Sequence, residues 1–445
     1  MQPQNKISVL EAMLMNMNIM IGAAIFIGPS MMAAKGGSLS FLGWPAVAIL
    51  FFPVVWSIVQ LTKYFPDATS FFSYSKHLGV TTSFITGWVY FLGYLTTVTI
   101  QTIGLSEVLK TQFNLTFVTT HPYFFYLIVI CALAFLNFWS LKLVAKIQNA
   151  VTIFKLLPIV LVIVLIPFFW NSNFQIDLSN ISVVKYTIPF ALFGYWGFES
   201  CTNLVSSIKG GRQSAIKAIL GSFFIVAIIY TIFHFGLIHI MGSENLAAQG
   251  VPAFIYYLGI KSKFLFNLSN AFISSVIALA YFSSSFGIFI ANSSMVQHLA
   301  KENFLLFSSK FAKTNRFDRP VTGIIVKSII IYLLMVAINN KMILTSICNT
   351  GILAAFLINL ISLFVIQFKK KDFGISQIGI TTLALVASGI AATYNWFNLG
   401  NTNYLRFQYL LPLIALTIFG LIMFKLEGKR IQKQLLKAKD ISPKP

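Results

Sequence analysis

Lys155 and Glu199 are the two ionisable residues that stand well inside stretches otherwise apolar enough to cross a bilayer. A charge at that depth is expensive, so each is a functional candidate by default. Burial favours the neutral form of a lysine, which suits Lys155, in VTIFKLLP, to proton exchange when the cavity around it changes. Its ammonium could equally take the place of a sodium ion, meeting carbonyls of an unwound helix and hydroxyls from Ser283-Ser284-Ser285. Glu199 is the second proton-coupling candidate. For both residues, and for the serine triplet, a polar tie between packed helices is the competing reading.

Open backbone is what such a lysine needs, and two stretches offer it. Asn16 to Ala34 carries Gly22, Gly28 and Pro29 in an apolar run, and Thr187 to Ile208 carries Gly194 and Gly197 beside Glu199. Glycine weakens a helix interior and proline removes a donor, so both spans are expected to break near mid-membrane. Broken backbone is tolerated there only in protein or beside a watery cavity, and paired broken spans point to a transporter's substrate site. Amides at Ala23, Ala24 and Ile25 would open the second half of the first span, a positive end suited to a carboxylate. Carbonyls near Met20, Phe193 and Trp196 would end the first halves and suit an ammonium. A zwitterion fits between them, and Phe193, Tyr195 and Trp196 could close over it.

With 445 residues, 57% hydrophobic and 10% charged, the chain reads as an all-α integral membrane protein. Apolar runs of about 20 residues or more are expected at Ser8 to Ala34, Trp44 to Tyr64, Phe84 to Val108, Tyr123 to Leu141, Ile147 to Phe169 and Thr187 to Ile208. Six more follow, at Ala218 to Met241, Phe264 to Met295, Val321 to Ile338, Ile343 to Phe368, Ile375 to Tyr394 and Tyr409 to Phe424, giving twelve transmembrane helices. Most of the 32 Lys and Arg residues fall on the side that holds both termini, which makes that side cytoplasmic. The net charge of +21 reads as topology and lipid attraction, with no nucleic acid partner. Lys327 lies seven residues into its span and is expected to snorkel. Glu11 reads as a gate or surface contact, and Gly242 to Lys263 is long enough for a lid.

Spans one and six are both interrupted and open successive groups of five, so a 5+5 inverted repeat is expected over 1–372, with two extra helices and a basic tail in 373–445. The first span lacks a cleavage site and reads as an anchor. Cys131, Cys201 and Cys348 have no metal-type spacing, and His234 and His239 lie about 140° apart on a helix, so no metal is expected. No phosphate loop, HExxH or GxSxG element supports an enzyme, and no cofactor is implied.

Gly22-Ala23-Ala24-Ile25-Phe26-Ile27-Gly28-Pro29 resembles the first-helix signature of the amino acid–polyamine–organocation (APC) superfamily of permeases. Pro66 to Gly79 with Tyr74, Gly87-Trp88, Phe154-Lys155-Leu156-Leu157-Pro158, Gly197-Phe198-Glu199-Ser200 and Ala300-Lys301-Glu302-Asn303 are similar to later segments of that family, in the same order. The resemblance implies a LeuT-like fold in which broken helices one and six hold the substrate's carboxylate and amino group. It carries those roles to Ala23, Ala24, Ile25, Phe193 and Trp196, a substrate-facing position to Tyr94, and sodium replacement to Lys155. Glu199 matches a proton-linked glutamate of basic amino acid and polyamine antiporters. The chain departs from the family at Ala24, at Ser207 to Gln213 and at Ser294.

The expectation is therefore a plasma-membrane secondary transporter for amino acids or related amines, bacterial by composition, proton-coupled through Lys155. Exchange is the alternative, and a transport-inactive sensor a more distant one.

Overall fold

A computed structural model describes residues 6–65, 68, 70–169, 178–259, 262–338, 340–369, 373–400 and 402–441. The expected unit boundary at 372/373 and the Pro66 that opens one of the family-like segments lie outside the described residues. The chain forms α1 (Val9–Met20), α2 (Ala23–Gly36), α3 (Gly43–Tyr64), α4 (Val80–Phe113), α5 (Thr116–Thr120), α6 (Pro122–Asn137), α7 (Leu141–Leu165) and α8 (Ile188–Tyr195). It continues through α9 (Gly211–Met241), α10 (Ser243–Gln249), α11 (Lys263–Lys301), α12 (Ser308–Phe311), α13 (Val321–Ala337), α14 (Lys341–Lys369), α15 (Ile375–Asn398) and α16 (Asn403–Ile441). Short 3₁₀ stretches link several of them, and no strand occurs among the described residues beyond an isolated parallel bridge between Ile7 and Ile208.

Among the described residues, eight stretches are long and apolar enough to cross a membrane, and α1, α6 and α13 are shorter apolar helices. This is a coarser count than twelve spans, and the interruptions explain part of the difference. The first expected span is divided into α1 and α2, and the sixth is an eight-residue helix, a turn and the 3₁₀ stretch Ser200–Ser207.

Enclosure differs sharply between helices. The apolar window of α4 is 94% buried, whereas that of α16 is 11% buried. A helix wrapped by protein can carry polar groups, because each finds a partner; one facing lipid cannot. Accordingly α4 is lined with Tyr, Thr and Gln, and it runs against α11 and α14. Small residues permit that approach: a Cβ on Gly351 would sit 2.7 Å from the Val89 carbonyl, and one on Gly93 3.0 Å from the Cys348 carbonyl.

The first break lies at Ile21–Gly22, and α2 runs uninterrupted through Gly28 and Pro29. These two residues therefore do not break the helix. Pro29 forfeits one backbone bond, but α2 is braced between α8 and α10, and Gly28 lets the Trp44 ring pack closely, 3.2 Å from where a Cβ would stand. Gly22 is needed for a different reason: a side chain there would collide with the Ser284 hydroxyl. Gly194 is likewise inside α8; the second break comes after Tyr195, where Gly197 adopts φ +113.

Two further expectations are corrected. Lys327 does not snorkel; it is 1% exposed, donates to the Phe289 carbonyl at 2.5 Å and the Ser293 hydroxyl at 2.5 Å, and lies over the Phe289 ring. Oxygens and a ring on α11 replace the water it would otherwise seek. Glu11 forms a capping box, accepting from the Ser8 amide at 2.6 Å, because the first amides of α1 need acceptors. In the 242–263 connection, α10 packs against α2, the second half of the broken span.

Gly197→Ala tests the second break. Its positive φ strains any side chain, and a Cβ would strike Ile19 of α1. The expected loss is about 1–3 kcal/mol of stability, read as a lower Tm of the purified protein in detergent. An unchanged Tm would mean that the turn does not need glycine.

Candidate functional site between two broken helices

A helix end leaves its last four carbonyls without partners. In α1 the Met17 carbonyl accepts from the Ile21 amide at 2.7 Å, and the ones after it are met from three other helices or from the break itself. Lys155 Nζ of α7 donates to the Asn18 carbonyl at 3.0 Å and the Ile21 carbonyl at 2.6 Å. Ser284 Oγ of α11 donates to Ile19 at 2.7 Å, and Tyr230 Oη of α9 to Met20 at 2.5 Å. Lys155 is fully buried and forms no salt bridge among the described residues. Its amino group thus sits where backbone oxygens of an unwound helix converge, the environment that would otherwise coordinate a hard cation.

Glu199 lies in the turn of the second break and is also fully buried. One carboxylate oxygen accepts from Tyr90 Oη at 2.9 Å and Tyr94 Oη at 2.5 Å, both on α4; the other accepts from the Gly197 amide at 3.3 Å. Lys155 and Glu199 are therefore not paired with each other. Lys155 serves the first break and Glu199 the second.

Asn16 joins the breaks. Its side chain donates to the Phe198 carbonyl at 2.6 Å and accepts from the Cys201 amide at 3.2 Å, supplying backbone partners that the turn lacks. Tyr230 joins them again, since it also donates to the Gly194 carbonyl at 3.3 Å.

A small cavity lies between the two breaks, and Met20, Gly22, Ala24, Tyr94, Phe193 and Trp196 all line it. Gly22, the N-cap of α2, supplies no side-chain acceptor to the first amides of α2, and Gly22 and Ala24 place the helix's positive end beside this cavity. The Ala23 side chain lies outside the described residues. That of Ile25 is fully buried in the core, so its contribution is limited to the backbone. The Met20 carbonyl already accepts from Tyr230 and, at 2.8 Å, from the Gly22 amide. Trp196 is fixed by Asn349, its Nε1 donating at 2.7 Å. Tyr195 points away, donating to the Trp44 carbonyl at 2.9 Å.

Thr97 and Gln101 also line the cavity and escaped the sequence reading. The signal was present: Tyr90, Tyr94, Thr97 and Gln101 are spaced by four, three and four residues, one face of α4. Gln101 is held by Ser284 and Ser285, at 3.1 Å to each. His234 accepts from Trp44 Nε1 at 3.0 Å, a core contact, and no group of three or more His, Cys, Asp or Glu could hold a metal among the described residues.

A second opening lies where α11 ends, lined by Leu204, Ser294, His298, Lys301 and Arg319 among others. Arg319 donates to the carbonyl and side chain of Asn137 at 3.1 Å each. Burial pulls its pKa down to about 10, so it stays cationic at neutral pH.

Apolar spans around two interrupted helices, with a small cavity between the breaks, define a multi-pass helical membrane protein. The chain belongs to the amino acid permease family, which matches it over residues 7–424. Among similar proteins, the glutamate/serine transporter AimA of Bacillus subtilis is 21% identical over 55% of this chain and 49% of its own. The aspartate-proton symporter of the same organism is 22% identical over 56% of this chain and 50% of its own. Its serine/threonine exchanger SteT is 22% identical over 83% and 84% respectively. The match thus spans about half the length of the first two relatives and most of the third.

Tyr230→Phe keeps the ring and removes the hydroxyl shared by both breaks. Two carbonyls lose a donor, and the expected cost is about 1–3 kcal/mol, measured as a fall in Tm. A Tm equal to that of wild type would show that the breaks hold without this tie.

Proposed function

We propose that the protein is a secondary transporter that moves amino acids, or related amines, by alternating access, coupled to protons and independent of sodium. The observation that carries this reading is the place of Lys155 Nζ against the Asn18 and Ile21 carbonyls. A protonated lysine closes the broken helix as a bound cation would; a neutral one holds it less firmly, so protonation biases the break. The substrate's carboxylate would meet the α2 amides at Ala23, Ala24 and Ile25, and its ammonium the carbonyls of Phe193 and Trp196. Tyr94 and Phe193 would close the cavity over it, with Met20 in its wall. Glu199, held by two tyrosines, is the second protonatable group. Amino acid transport is also named for the relatives, one of which is a proton symporter.

On this reading twelve helices cross the plasma membrane, a bacterial inner membrane by composition, with both termini cytoplasmic. Residues 1–372 form the inverted-repeat core, and 373–445 add two helices and a tail. The exchanger reading is favoured by a different observation: the relative matched over most of its length is a serine/threonine exchanger.

The test is uptake of a pool of labelled amino acids into proteoliposomes, with and without an inside-alkaline gradient, for wild type and Lys155→Ala. Gradient-stimulated uptake is expected, and its loss in the variant by about tenfold or more. Uptake that requires preloaded amino acid and ignores the gradient would replace symport with exchange.

A further inference from the structure

A third cavity lies beneath the first break, lined by Asn16, Ile19, Ser200, Cys201, Leu204 and Gly287. Leu204 also lines the opening at the end of α11, so the two spaces adjoin. Against the wall of the inner one stands Gln148 of α7, fully buried, with neither its amide nitrogen nor its amide oxygen partnered among the described residues. Gly287 marks its position: a Cβ there would be 3.1 Å from Gln148 Nε2 and 3.2 Å from its Oε1. Two residues of the broken spans are in the same state. Ser200 Oγ, in the cavity lining, and Asn18 Oδ1 are buried and unpartnered among the described residues.

Asn18 is also the residue whose carbonyl holds Lys155. Gln148 and Lys155 are seven residues apart, so they share one face of α7, roughly 10 Å apart along its axis. Thr152 lies between them and donates to the Gln148 carbonyl at 2.7 Å. Buried polar groups left over in a cluster beside a cavity are what ordered water satisfies.

We propose that Gln148, Asn18 and Ser200 hold a short chain of water that carries the proton of Lys155 to and from the opening at the end of α11. This rests on proton coupling at Lys155. In release, an N–H bond of the ammonium breaks and the nearest water takes the proton. Each water passes one proton onward, the opening gains one, and Lys155 is left a neutral amine. Gln148 is a positioning residue; it donates and accepts hydrogen bonds but exchanges no proton with the chain.

The helices packed on α7 are α1, α9 and α11. Their titratable groups do not intercept the route: Glu11 is committed to Ser8, and Tyr230 to the Met20 carbonyl. His234 is held by Trp44, and Tyr281 lies against Gly104 of α4. Arg212 donates to the Lys63 carbonyl, while His298 and Lys301 line the opening where the route ends. Lys217 and His239 lie towards opposite ends of α9, and Lys263 begins α11. Glu199 is bound by Tyr90 and Tyr94.

The test compares Gln148→Met, which keeps the volume and removes both polar atoms, with Gln148→Glu, which keeps an acceptor. The full chain is reconstituted, and a labelled amino acid pool is followed in gradient-driven uptake and in gradient-free exchange. Gradient-driven uptake is expected to fall by about tenfold in Gln148→Met and to recover in Gln148→Glu, while exchange stays within about twofold of wild type in both. A Gln148→Met variant that keeps gradient-driven uptake overturns the relay alone, as does an equal fall in both rates, which is the mark of a structural role. A wild type that ignores the gradient removes proton coupling at Lys155, and the relay with it.

Discussion

A helix that stops inside an apolar bundle must find partners for its terminal carbonyls, and the helices around α1 supply them. In water the solvent would do this; in hydrocarbon only protein can. Three helices therefore converge on one point: α7 brings a lysine, α11 a serine and α9 a tyrosine. The same requirement fixes Gly22, since the Ser284 hydroxyl that reaches Ile19 occupies the space a side chain would take.

The second break obeys the same rule by different means. Gly197 turns the chain, Glu199 accepts an amide within its own turn, and Asn16 reaches across from α1 to pair with the backbone on either side. One asparagine thus makes each break depend on the other. The Glu199 carboxylate then ties the turn to α4, whose enclosure by α11 and α14 allows it to present two tyrosine hydroxyls deep in an apolar bundle. A lysine at one break and a glutamate at the other are each held by neutral oxygens or hydroxyls and not by one another.

Lys327 shows how far a lysine's surroundings decide its behaviour. Its position near a span end argues for snorkelling, yet α11 offers a carbonyl, a hydroxyl and an aromatic face at close range, and the side chain turns inward. Pro29 makes the matching point for backbone. Its ring argues for a break, but a helix packed on both sides tolerates one lost bond, and the chain opens instead at Ile21–Gly22, where side chains wait for the freed carbonyls.

The amino-acid sequence by itself determined the apolar runs, the two interrupted spans, and Lys155 and Glu199 as the charged residues deep within them, because bilayer thickness and the cost of burying charge act on composition alone. It also carried the four-residue polar face of α4 in its spacing, though that pattern has no meaning until α4 is known to be enclosed. Only the tertiary structure decided which carbonyls Lys155 meets, that Asn16 and Tyr230 bridge the breaks, and that Gln148 stands unpaired beside a cavity. These depend on contacts between residues more than a hundred positions apart, and helical periodicity fixes which face a residue occupies but not which neighbour that face will find.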